Sequence, residues 1–148
     1  MKVRLTILVA TVLLSGSIAF AQEKKVREAD VPKAVLDAFR SAYPNATVKG
    51  YAQEKEEGSL FFEIESQDGA TRRDLLYRTD GTLAEVEETI AVSDLPTSAQ
   101  VTITAKKATV RRAERVTKDG HVSYEVAGLQ GKKRVTFIFD AEGNQVKH

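Results

Sequence analysis

The segment Gly58-Ser59-Leu60-Phe61-Phe62-Glu63-Ile64 can be laid on Gly120-His121-Val122-Ser123-Tyr124-Glu125-Val126, a shift of 62 residues that then runs on without a gap. Gly69 falls on Gly131, Arg72 on Arg134, Leu75 on Phe137, Leu76 on Ile138, Tyr77 on Phe139, Gly81 on Gly143 and Ala84 on Val146. Upstream, Asp30-Val31-Pro32 matches Asp94-Leu95-Pro96 at a shift of 64. Such a period implies an internal duplication, each copy being one small supersecondary unit. The expected organisation is a signal peptide over 1–21, an N-terminal tail over 22–29, a first repeat over 30–90 and a second over 94–148, with Thr89 to Asp94 as a linker.

Within the first copy an acidic residue and a proline open a helical pattern, Val35, Leu36, Phe39 and Tyr43, which Pro44-Asn45 stops. The matching stretch, Pro96 to Lys107, holds Val101, Thr102, Ile103 and Thr104, whose branched side chains favour a strand. Ala99 and Ile103 nevertheless keep the apolar i, i+4 pair, so a second helix is expected. After each helix the period changes to two, as in Leu60, Phe62 and Ile64 or Val122, Tyr124 and Val126, the mark of a half-buried strand. Glycine-containing dipeptides such as Asp80-Gly81 and Glu142-Gly143 supply the turns. The expected fold is therefore α+β: two tandem repeats, each one helix followed by a four-stranded antiparallel sheet, with the helices on one face.

The amino terminus pairs Lys2 and Arg4 with an apolar run from Leu5 to Leu14 and an Ala19-Phe20-Ala21 site, the layout of a cleaved secretory signal. Membrane contact is expected only through that segment, with a periplasmic or secreted mature chain starting at Gln22. There is no cysteine in the chain, which excludes disulfides and a lipid-anchored precursor. The formal charge of +1 hides an asymmetry, net −6 over 30–90 and net +4 over 91–148. Either the copies have drifted, or the two signs are a footprint for a partner or for head-to-tail pairing.

These residues carry a family resemblance: Asp30-Val31-Pro32, Tyr43-Pro44, the strand from Leu60 to Glu65 and the turn Phe139-Asp140-Ala141-Glu142-Gly143. The chain resembles the PepSY-like, β-lactamase-inhibitor-like proteins of bacterial periplasms. The resemblance implies a binding or inhibitory role in the envelope, exerted through the open sheet face against another protein. The second copy departs from the pattern at Lys107-Ala108, which stands in place of Tyr-Pro.

Enzymatic motifs do not emerge. The two histidines, His121 and His148, lack the elbow and orienting group of a nucleophilic triad, and without cysteine they cannot fill a zinc site unless carboxylates help, which disfavours transition-metal binding. Asp140, Glu142 and Asn144 alternate like calcium ligands, but the rest of a binding loop is missing, so a plain turn is the better reading. No cofactor is expected. Glu63, Glu65, Glu85, Glu87 and Glu88 alternate with apolar residues along strands and read as a solvated face rather than an acid/base pair. Lys106, Lys107, Arg111, Arg112 and Arg115 form a basic patch whose target in an exported protein is not nucleic acid.

Three apolar residues are out of phase with the core: Phe61, Leu76 and Ile138 project from the face opposite the helices. They either pack the two repeats together or offer an anchor to a partner. The expectation is a non-enzymatic envelope binding module, an inhibitor or regulator, using Phe61, Glu63, Leu76, Glu125 and Ile138. The competitor is a structural envelope protein that self-assembles through its oppositely charged repeats.

Overall fold

In the computed structural model, which describes residues 23–56 and 58–146, the alternating stretches form strands and the turn glycines take positive φ, for example +84° at Gly58 and +87° at Gly81. The elements in chain order are β1 (Lys24–Lys25), α1 (Lys33–Ala42), β2 (Thr47–Glu56), β3 (Ser59–Asp68), β4 (Thr71–Arg78) and β5 (Leu83–Thr89), then α2 (Thr97–Ala105), β6 (Ala108–Lys118), β7 (His121–Gln130), β8 (Lys133–Asp140) and β9 (Gln145–Val146). A 3-10 turn precedes each helix, at Glu28–Asp30 and Val92–Asp94. The signal-peptide reading, with its cleavage after Ala21, and His148 lie outside the described residues.

The strands do not form two four-stranded sheets. Among the described residues they make one antiparallel sheet of nine strands in chain order, which overturns the expected pair of helix-plus-four-strand repeats. The correction lies at β5 and β6. Glu85 to Thr89 pair with Lys118 to Glu114, and the Ile90 amide donates to the Ala113 carbonyl at 2.9 Å, so the start of the expected linker joins the ladder and only its remainder connects to α2. The physical reason is the cost of edges. Separate sheets would expose the unpaired amides and carbonyls of β5 and β6, whereas joining them satisfies both. The stretch expected as an N-terminal tail contributes β1, which pairs with β2 through Lys24 and Gln53.

Register places both helices on one face. Ile64 opposes Leu75 and Leu75 opposes Val86, while Ala113 opposes Val126 and Val126 opposes Phe137. Under α1 the core joins Val31, Val35 and Phe39 to Phe62, Ile64, Leu75 and Tyr77. Under α2 it joins Leu95, Ala99 and Ile103 to Ala113, Val126, Phe137 and Phe139. In α2 the buried pair Ala99 and Ile103 decides the conformation against the branched side chains, because tertiary burial outweighs a few tenths of a kcal/mol of propensity. α1 ends at Tyr43, stacked on Phe39 with ring centroids 5.8 Å apart; α2 ends instead through Lys107, held at φ +52°.

Between the two cores a charged bridge crosses the seam. Glu88 of β5 accepts from Arg73 of β4 at 2.6 Å and from Arg115 of β6 at 2.7 Å, and the Arg73 guanidinium lies 5.3 Å from the Tyr43 ring centroid. Arg115 is thereby on the helix side of the sheet. Asp140 accepts hydrogen bonds from the backbone of Glu142 and Asn144 and from the Asn144 amide side chain, so the acidic stretch near the C-terminus is a self-capped turn.

Candidate functional site

The alternation that sends Phe62, Ile64, Leu75 and Val126 under the helices sends their neighbours to the other face. Phe61, Glu63, Leu76, Glu125 and Ile138, expected there from sequence, are all half-buried on that helix-free face. Glu63 opposes Leu76, Phe61 opposes Arg78, and Glu125 opposes Ile138. Because both halves share one sheet, these residues lie side by side along a single surface. They cannot pack one repeat face to face against the other, which removes that alternative. The structure does not gather the basic patch in the same way. Lys106 and Lys107 follow α2, Lys106 reaching to 5.9 Å from the Phe137 ring centroid on the helix side. Arg111 occupies a bulge in β6, and Arg112 sits on the helix-free face, 3.2 Å from Glu114.

What the sequence left unseen is the row of carboxylates. Asp74 stands directly opposite Glu87, and Glu114 directly opposite Glu125, so like charges face each other across two strand pairs. Such pairs destabilise a sheet. Glu54, Glu56, Glu63, Asp74, Glu85, Glu87, Leu76 and Lys118 line a depression of about 250 Å³ on β2 to β6. A second hollow of about 280 Å³ continues it past Phe61, Ser59, Arg78, Ala84 and Asp119. The acidic row runs over the seam into Glu114 and Glu125, so this face does not divide into an acidic and a basic half.

The carboxylates are not the solvated face expected of alternating glutamates. Burial pushes the Glu63 carboxyl up to about 8, reinforced by the charges of Glu54, Asp74 and Glu23. Burial likewise pushes Glu87 up to about 7, with Glu114, Glu85, Glu125 and Asp74 adding to it. Glu54 and Glu114 are also raised, first by burial; the neighbouring Glu63 carboxyl opposes the rise at Glu54, and Arg112 opposes it at Glu114. Counter-charge is sparse. Lys118 Nζ lies 3.0 Å from Glu85 and 3.6 Å from Glu56, and Arg72 Nη2 lies 3.6 Å from Glu65 and 3.5 Å from Asp74. Among the described residues, Glu54, Glu63, Glu87 and Glu125 have no ion-pair partner within 4.0 Å. One oxygen of Asp74, Oδ1, is buried without a hydrogen-bond partner.

No group of three or more histidine, cysteine, aspartate or glutamate side chains among the described residues is arranged to hold a metal ion. His121 opens β7 opposite Lys118, exposed and beside the Asp119-Gly120 turn.

No family profile matches the chain, and no curated protein matches it. Solved structures do. A BLIP-like protein from Bacteroides fragilis superposes with a TM-score of 0.60 at 18% identity, over 79% of this chain and 84% of its own. A DUF2874 family protein from Bacteroides uniformis gives 0.64 at 13% identity, over 79% and 87%. A Bacteroides eggerthii protein provisionally named as periplasmic gives 0.65 at 12% identity, over 79% and 86%. The chain thus shares its fold with BLIP-like and DUF2874 family proteins of Bacteroides.

Proposed function

We propose that the chain is an exported, non-enzymatic binding module of the cell envelope that engages a protein partner through the helix-free face of its sheet, as an inhibitor or regulator. The observation that carries this is the pair of opposed like charges, Asp74 with Glu87 and Glu114 with Glu125. A sheet selected for stability alone would place opposite charges or apolar pairs at these positions; local rules are broken where function requires it. Phe61, Leu76 and Ile138 add apolar area between the acids, the mixture that a protein-binding surface needs. The amino-terminal charge-then-apolar pattern supports export, and the fold shared with a BLIP-like protein supports a binding role. Alanine at Phe61 is expected to weaken capture of the partner from envelope extracts by about tenfold, the effect of a moderate interface anchor, while far-ultraviolet dichroism and the urea midpoint stay near wild type. Capture unchanged by Phe61→Ala would remove the face from the account.

A further inference from the structure

Resting on the reading above, we propose that the occupant of the helix-free face is a basic segment of a protein partner, an extended stretch that presents a lysine or arginine beside an apolar residue. The depression has two chemically different parts. Its floor of Glu54, Glu63, Asp74 and Glu87 carries carboxylates with almost no internal counter-charge, and its continuation carries Leu76 and the Phe61 ring. A long cationic side chain matches both, its stem on the apolar part and its head among the acids. An acidic or purely apolar segment does not match both, since over the floor it would add like charge or bury carboxylates unpaired.

The chain's own Lys118 shows the arrangement. It reaches from β6 to one end of the depression and sets its ammonium on Glu85 and Glu56, yet leaves Glu54, Glu63 and Glu87 at the other end unpaired. A second ammonium or guanidinium fits there in the same manner. A divalent ion is disfavoured because these oxygens are not grouped for coordination. The Phe61 ring already has the Arg78 guanidinium 5.7 Å from its centroid, so the apolar part also tolerates cations over its aromatic face.

The test uses a short blocked peptide alternating lysine and valine, beside the same peptide with every lysine ε-acetylated. Titration calorimetry at near-neutral pH on the full mature chain should show the lysine peptide binding at least about tenfold more tightly than the acetylated one. It should also show proton release, read as heat that varies with the buffer, because a bound cation ionises the carboxyls that were protonated. The double variant Glu63→Gln with Glu87→Gln should lose that preference, and should remain folded because it removes repulsion. Equal affinity for the two peptides, or a preference that survives the double variant, would overturn the inference. The two readings fail separately. A lysine peptide without preference, alongside partner capture that still depends on Phe61, sinks only the basic-segment assignment; capture independent of Phe61 sinks the sheet-face reading beneath it.

Discussion

Replacing Gly81 by alanine should destabilise the protein by about 3 kcal/mol, read as a lowered urea midpoint at unchanged slope. Two costs combine. Gly81 sits at φ +87°, a conformation that costs a residue with a side chain roughly 1 kcal/mol or more. In addition, a Cβ there would come within 2.6 Å of the Ala34 carbonyl oxygen in the first turn of α1, and a backbone oxygen cannot swing aside as a flexible side chain would. Relief requires moving the helix off the sheet, an overpacking cost of about 1–3 kcal/mol. Gly69→Ala is the control, since its φ is +57° but nothing lies within 4 Å of an added Cβ. Only the conformational part, about 1 kcal/mol, should appear there. Equal losses at the two positions would refute the helix contact.

The second large effect is expected at the seam. Glu88→Ala should cost about 2–3 kcal/mol, because it leaves the largely buried guanidinium of Arg73, and beside it the exposed one of Arg115, without their shared carboxylate. Side-chain exposures of 19% at Arg73 and 17% at Glu88 separate this bridge from ordinary surface pairs, which contribute almost nothing. Amide exchange should accelerate most in β5 and β6, whose pairing the bridge spans. A loss below about 0.5 kcal/mol would class it with surface pairs instead.

Individual elements were legible in the sequence for local reasons. The alternation around Phe62 and Ile64 and the glycines at 69, 81, 131 and 143 encode strands and turns within a few residues of each other. In α2, the alignment of Ala99 and Ile103 with Val35 and Phe39 outweighed the branched residues. The single sheet was not legible. Nothing within β5 states that it pairs across a helix with β6, because the residues facing each other there, such as Glu87 and Val116 or Glu88 and Arg115, are more than 25 positions apart. That pairing is decided by the edge groups the separate sheets would have left open.

The site divides in the same way. Phe61, Leu76 and Ile138 could be assigned to the helix-free face by phase alone. The crowding of the carboxylates could not, because it depends on cross-strand register: Asp74 and Glu87 are ordinary surface acids until β4 and β5 set them directly opposite. Two acids at alternate positions on one strand are common; two rows brought into register are not, and the turn lengths that produce this carry no charge information.

Raised carboxyl pKa values also fix a sign for stability. A glutamate that holds its proton more tightly when folded contributes no penalty below its ordinary value. Stability then falls as pH rises from there through the folded value, since the unfolded state releases the proton first. For Glu63 the window runs from the ordinary 4.5 to about 8, and for Glu87 from 4.5 to about 7. Both groups are open to water on one side, so the loss for each is on the order of 1 kcal/mol. The protein is therefore expected to hold itself together best in mild acid and to present its most attractive face for a cation above neutral pH.

The most direct measurement of that face is a carbon-detected magnetic resonance titration of the Glu63 and Glu87 carboxyls. Midpoints near 8 for Glu63 and near 7 for Glu87 are expected, with the Glu54 and Glu114 carboxyls displaced in the same direction. Midpoints for all four at the ordinary 4.5 would mean that the carboxylates are spread and solvated, and would contradict a crowded acidic face awaiting a cation.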